Sequence, residues 1–215
     1  MDQKRLLCIG YGYSAGFVAE RAQRKGWSVA GTTRDERKAD RLAGAGVAPV
    51  IWESGGDTGA LCNAIAQSSA LLVSTPPGAA GCPALGALMA CVFARDAAAR
   101  PTWARQTGAR PLDWIGYLST NGVYGDHGGA WVDETTPPKP TSARARDRLG
   151  AEQAWRRFGD GHKIPVAIFR LPGIYGPGRS ALDTVRAGRA RRIFKQGQVF
   201  SRAHAADIAD MFDDR

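Results

Sequence analysis

Short, nearly unbroken apolar runs alternate along this chain with longer segments in which apolar residues recur at helical spacing. The runs read as strands buried on both faces, and the segments between them as the helices that cover those faces. A first strand is expected from Arg5 to Ile9, a helix from about Ala15 to Lys25, a second strand ending at Thr33 and a helix from Asp35 to Ala43. Val47 to Trp52 reads as a third strand, after which a helix opens near Asp57. Ala70 to Ser74 is a fourth strand, stopped by Pro76-Pro77-Gly78. A helix from about Ala84 to Ala99 and an irregular stretch to Pro111 precede a fifth strand, Asp113 to Ser119. Residues Gly125 to Pro140, rich in Gly and Pro, read as a loop; Ser142 can cap the helix that follows, whose Leu149, Ala151, Trp155 and Phe158 should face the core. Val166 to Leu171 is the sixth strand. Strands alternating with helices in this way predict an α/β fold with a doubly wound parallel sheet.

Composition narrows the picture mainly by exclusion. With 44% hydrophobic and 23% charged residues in 215, the chain is of globular type, and no apolar run approaches the ~20 residues that cross a membrane. The start, Met1-Asp-Gln-Lys-Arg5, leads into a strand with no cleavage-like segment, so no secretory signal is expected. Cys8, Cys62, Cys82 and Cys91 lack metal-ligand or redox-pair spacing and read as small buried hydrophobes, which suits a reducing cytoplasm. A net charge of +9 raises the question of nucleic acid. The densest basic run, Arg186, Arg189, Arg191, Arg192 and Lys195, is short and lacks interleaved aromatics. It reads instead as a solvated helix face or as a patch that meets an anionic small molecule.

The chemistry begins where the first strand ends. Gly10-Tyr-Gly12-Tyr13-Ser14-Ala15 has the spacing of a dinucleotide-binding turn: the first glycine allows the tight bend, the second lets backbone approach a pyrophosphate, and the small Ala15 lets helix pack on strand. The amides at the helix start then face the phosphates. In a chain with 27 glycines the spacing could also be an ordinary strand-to-helix turn. The next strand strengthens it, because its end falls where ribose recognition is expected, and Arg34 stands there in place of the acidic residue that suits NAD. A guanidinium suits a 2'-phosphate, so NADP is the expected cofactor, with Arg37 and Lys38 close behind.

Four segments, in order, give the chain a family likeness: the turn at Gly10, Tyr117-Leu-Ser-Thr-Asn-Gly-Val-Tyr-Gly125, Phe169-Arg-Leu-Pro-Gly-Ile-Tyr-Gly-Pro-Gly178 and His204-Ala-Ala-Asp-Ile-Ala209. Over nearly its whole length the chain resembles the extended and atypical short-chain dehydrogenase/reductases, in particular the NAD-dependent epimerase/dehydratase branch. The resemblance implies a Rossmann domain over residues 1–171 and the start of a substrate-binding lobe over 172–215. It also implies that Ser74, Thr75 and Pro76 border the cofactor, and that Pro172, Gly173 and Ile174 lie by the nicotinamide. A small-molecule substrate, a carbonyl compound that is nucleotide-sugar-like or otherwise anionic, is implied as well.

In that family a Ser or Thr orients the substrate oxygen while the Tyr of Tyr-x-x-x-Lys moves its proton, since hydride transfer at carbon must be matched by proton transfer at oxygen. Thr120 takes the Ser/Thr position, although its hydroxyl could equally serve the backbone at a strand end. Aligned on Glu152, the Tyr and Lys positions hold Arg144 and Arg148, and no tyrosine occurs between Tyr124 and Tyr175. Asn121 and Gly122 replace the acidic pair of the dehydratases. An arginine stays protonated and cannot act as a base at neutral pH, though it can polarise a carbonyl. Tyr124 and His127 are conceivable proton donors. The expected function is therefore an NADP-binding oxidoreductase or epimerase, or else a non-catalytic NADP-binding sensor or scaffold. Only Asp210 to Arg215 follow the His204 segment, so an incomplete lobe is expected, with Ile208, Met211 and Phe212 exposed as an apolar stripe that favours self-association.

Overall fold

Leu6, Leu7, Cys8 and Ile9 are all buried, which requires a strand with neighbours on both sides and helices on both faces. The computed structural model describes residues 3–92, 112–191, 197 and 199–212. In it, β1 (Arg5–Ile9), β2 (Ser28–Thr33), β3 (Val47–Ile51), β4 (Ala70–Val73), β5 (Trp114–Thr120) and β6 (Val166–Leu171) form a six-stranded sheet in the order β3-β2-β1-β4-β5-β6. Every pairing is parallel. This is the doubly wound architecture expected from the apolar pattern.

The helices are α1 (Tyr13–Arg24), α2 (Glu36–Gly44), α3 (Gly59–Ala66), α4 (Pro83–Val92), α5 (Ala143–His162), α6 (Ala181–Arg186) and α7 (Ala205–Asp210). Period-two alternation divides the core. Leu7, Ile9, Leu71, Val73, Ile115 and Tyr117 meet α3, α4 and α5 on one face, through Leu61, Ile65, Leu88, Trp155 and Phe158. On the other, Leu6, Cys8, Leu72 and Trp114 meet Ala15, Val18 and Ala22 of α1, Leu42 of α2 and Ala209 of α7. Helix α5 starts where expected, because the Ser142 side chain accepts from the Ala145 amide at 3.2 Å. Leu149 is only half-buried. Helix α1 begins two residues before Ala15, with Gly12 as its N-cap in extended backbone. The continuation of α4 to Ala99 and the irregular stretch to Pro111 lie outside the described residues, as do Arg192 and Lys195 of the basic run.

Two expectations are corrected. Cys62 and Cys91 are not simple hydrophobes but a disulfide, with Cα atoms 5.3 Å apart, that ties α3 to α4. The pairing is set by how two helices pack, which residue spacing does not show, and it removes the ground for reading a reducing compartment from cysteine usage. Cys8 and Cys82 are free and buried. The terminal stripe is likewise covered: Ile208 and Phe212 are each 3% exposed. Phe212 sits edge-on to Trp27 at 5.0 Å and to Trp114 at 6.1 Å, and Asp210 pairs with Arg21 of α1 at 3.5 Å. Helix α1 and two tryptophans supply the cover. A short parallel pair, β7 (Gly173–Tyr175) with β8 (Arg202–His204), forms a separate small sheet.

Burial makes the sheet sensitive to alkali. Burial pushes the Cys8 thiol from 9.0 up to about 12 and the Tyr117 phenol from 10.0 up to about 12. Both are neutral when protonated, so the folded state holds these protons more tightly than the unfolded chain does. The associated stability is complete below pH 9 and is lost as pH rises through about 12. The melting temperature should therefore fall across that window, and Cys8→Ala should delay the onset of the fall. A flat melting profile from pH 8.5 to 11.5 would contradict the argument.

Candidate cofactor cleft and active site

In a doubly wound sheet, ligands bind beyond the carboxyl ends of the strands, where the strand order reverses. Here that point lies between β1 and β4, and Gly10 and Ser74 are the residues that leave those strands. A cleft of about 540 Å³ opens there, walled by Gly10, Tyr11 and Gly12, by Thr32 to Asp35 with Lys38, by Ser74 to Pro76, and by Trp52, Glu53 and Ser54. Six of the expected cofactor residues thus share one cleft: Gly10, Gly12, Arg34, Ser74, Thr75 and Pro76. Tyr13, Ser14 and Ala15 form the first turn of α1 beside it, with Ser14 and Ala15 buried. Trp52, Glu53 and Ser54 were not foreseen. The signal available was positional, since they follow β3 on the same carboxyl edge.

The turn is held from three sides. The Gly10 amide donates to Thr32 Oγ1 at 2.7 Å, Ser74 Oγ donates to the Gly10 carbonyl, and Lys38 Nζ donates to the Tyr11 carbonyl. Gly10 has φ +89°, and a Cβ there would lie 2.9 Å from the Thr75 amide nitrogen, so only glycine fits without strain. Gly12 differs: a Cβ would meet nothing closer than the Gly10 carbonyl oxygen at 4.0 Å. The space over Gly12 is open, the first turn of α1 has neither an acidic residue nor a side-chain cap, and Thr75 Oγ1 is buried in the wall with no partner. Free amides, open backbone and an unsatisfied hydroxyl together fit a dinucleotide pyrophosphate.

Pro172, Gly173 and Ile174 are not among the residues that wall this cleft. Gly173 and Ile174 belong to β7 and line a second cavity of about 820 Å³ with Tyr175, Arg179, Arg189 and Arg202. Pro172 joins β6 to β7.

The catalytic candidates sit at the end of β5 and on α5. Thr120 is half-buried, and its Oγ1 accepts from the Gly122 amide at 3.2 Å, capping the short 3-10 turn Asn121–Val123. Arg148 donates through Nη1 to the Leu118 carbonyl at 2.6 Å and to Tyr117 Oη at 3.4 Å, so its guanidinium is braced against the strand. Arg144, one turn earlier on α5, is exposed. Behind them lies a network that the family alignment used only as an anchor. Glu152, wholly buried, accepts from Ser119 Oγ at 2.6 Å and from Arg170 Nη2 at 2.8 Å and Nε at 3.2 Å. These bonds raise the Arg170 pKa further. The Arg170 guanidinium lies 4.7 Å from the Tyr124 ring centroid, and Tyr124 is 7% exposed. That placement makes Tyr124 part of the packing between β6 and the 3-10 turn. His127 Nε2 lies 3.1 Å from the Tyr124 carbonyl oxygen, at the edge of a cavity of about 650 Å³ that includes Asn121 and Ser142. His204 caps α7, its Nδ1 accepting from the Ala206 amide at 3.2 Å, and its ring meets Tyr175 at 5.1 Å.

Comparison with known proteins fits this geometry. Among solved structures, a conserved protein of unknown function from Silicibacter pomeroyi is 40% identical with a TM-score of 0.79, over 98% of this chain and 67% of that one. The UDP-glucose 4-epimerase of Thermus thermophilus, solved with NAD, superposes with a TM-score of 0.72 at 17% identity, over 96% of this chain and 72% of that one. At that identity the likeness shows the fold alone. Human dTDP-D-glucose 4,6-dehydratase is 36% identical over 61 residues, which span 28% of this chain and 17% of the relative. The sequence profile of the NAD dependent epimerase/dehydratase family matches residues 93–210, more than half of the chain. With the parallel sheet, the glycine turn and this match all in agreement, the chain belongs to the NAD dependent epimerase/dehydratase family.

Proposed function

We propose that the chain binds NADP in the β1/β4 cleft and acts as an oxidoreductase or epimerase on a carbonyl of an anionic, nucleotide-sugar-like substrate. The observation that carries the cofactor preference is the division of labour at the end of β2. Asp35, which lines the cleft at the end of β2, is engaged in capping α2, its Oδ1 accepting from the Arg37 amide at 2.9 Å. Arg34 and Lys38 line the cleft beside it. Two cations and a committed carboxylate suit a 2'-phosphate better than a free 2'-hydroxyl.

Bound there, the cofactor supplies or accepts hydride. What the chain's own residues contribute is positive charge at the oxygen. Arg144 and Arg148 occupy the proton-transfer positions of the family alignment and, as guanidiniums, stabilise a developing alkoxide without accepting a proton. This favours carbonyl reduction with a solvent proton over oxidation that needs a base. The exposed Arg144 also suits a phosphate or carboxylate on the substrate.

A second reading, a non-catalytic NADP sensor or scaffold, is favoured by one observation. Arg148 and Thr120 are already spent on Leu118, Tyr117 and Gly122. Calorimetric titration with NADPH, NADP, NADH and NAD, followed by a carbonyl-substrate screen at saturating cofactor, separates the two. NADPH is expected to bind more tightly than NADH, and Arg34→Ala to remove most of the difference, about 1.5 to 3 kcal/mol or roughly one to two decades. Equal affinity of the parent protein for both cofactors would refute the preference.

A further inference from the structure

The loop that leaves β7 is pinned against the side chain of Tyr13, the first residue of α1. Gly176-Pro177-Gly178-Arg179 is a tight turn closed by the Arg179 amide donating to the Gly176 carbonyl at 2.9 Å. Proline sets the first central position and Gly178, with φ +70°, the second, the pairing a type II turn demands. This rigid turn is pinned to the first residue of α1. Tyr13 Oη donates to the Pro177 carbonyl at 3.0 Å, and a Cβ on Gly176 would come within 2.7 Å of Tyr13 Oη, so a larger residue there would displace the phenol. The turn delivers Arg179, whose guanidinium carbon lies 5.4 Å from the Tyr13 ring centroid. Arg179 is exposed and makes no ion pair with any described residue.

The guanidinium packs on the ring of the residue that opens α1, whose uncapped amides are likewise positive in character, with no acidic residue in the first turn to balance them. We propose that Arg179 is a cofactor-binding residue that closes over the pyrophosphate from the lobe side, with Tyr13 as the ring that holds its guanidinium in place. The proposal rests on the reading of the cleft as a nicotinamide dinucleotide site. It gives the phosphates a charged partner that the turn itself lacks, and it makes Tyr13 more than a spacer in the glycine motif. Stacking on the Tyr13 ring restrains the guanidinium before a ligand arrives, which lowers the entropic cost of engaging it. Arg179 also borders the 820 Å³ cavity. The bond from Tyr13 to Pro177 favours the pyrophosphate, because it fixes the turn to the helix that receives that group.

The test is a set of titrations with NADPH, NADH, ADP-ribose and adenosine 2'-phosphate. Arg179→Ala should weaken the first three by a common factor, roughly ten- to a hundredfold, while the NADPH to NADH ratio and the affinity for adenosine 2'-phosphate stay unchanged. Arg179→Lys should fall between, and Tyr13→Phe should cost less on the same three ligands. Arg34→Ala should show the opposite pattern, changing the ratio and sparing ADP-ribose. Parent-like ADP-ribose affinity in an Arg179→Ala protein with an unchanged circular dichroism spectrum overturns the proposal and leaves the cofactor reading intact. Equal weakening of adenosine 2'-phosphate overturns it too, since the effect would then be general. A parent protein that binds none of the four ligands overturns both.

Discussion

Gly12→Val is expected to abolish NADPH binding, a weakening beyond about a hundredfold, in a protein that still folds. The backbone at Gly12 is extended, with φ −110° and ψ −164°, so a branched residue adopts it without strain. The added Cβ meets no protein atom closer than 4.0 Å. Its methyl groups instead fill the space in which phosphate oxygens approach the amides of α1, and a hundredfold loss corresponds to about 2.7 kcal/mol. Replacing an N-cap glycine with valine weakens the helix start by only about 1 kcal/mol. Titration together with a melting curve checks both halves, and retained affinity in a folded variant would show that the turn is merely structural. Gly10 gives the contrast: its positive φ and its contact with Thr75 mean that Gly10→Val should damage the fold itself.

Glu152→Ala should have the largest effect on stability. Arg170 is 11% exposed and Glu152 not at all, so removing the carboxylate strands a guanidinium and the Ser119 hydroxyl inside the protein. Breaking a buried pair from one side costs about 3 to 5 kcal/mol, or roughly 6 to 20 °C in a domain of this size. The double variant Glu152→Leu with Arg170→Met should recover much of the loss, because no charge is left unpaired. Melting temperatures of the three proteins decide the matter. A single variant within 2 °C of the parent would mean that water reaches Arg170 and that the network carries little.

Much of this architecture was legible because it is local. Apolar runs gave the strands, and the glycine spacing marked the exit from β1. A serine before the long α5 marked its start, and Ala151, Trp155 and Phe158 its core face. What escaped was set by pieces distant in sequence. Cys62 and Cys91 meet only because α3 and α4 lie side by side. The apolar side of α7 is covered by Trp27 and Trp114, which the alternation alone assigned to no partner. Thr120 could be placed at the end of β5 and Arg148 on α5 from the family alignment, but the bonds that occupy them come from backbone geometry, which no motif encodes. Arg170 and Glu152 were visible as letters in two motifs without any sign that they face each other.

The Tyr11 side chain leaves the glycine turn and lies across Gly31 of β2, where a Cβ would collide with the ring. Tyr11 therefore dictates residue size on a neighbouring strand, 20 positions away along the chain. The dictation runs both ways. A methyl group at position 31 would push the ring off the strand, at the residue whose carbonyl Lys38 holds in the wall of the cleft. The order of change matters: a side chain at position 31 is free of the clash once a smaller residue stands at position 11, whereas with Tyr11 in place it meets the ring.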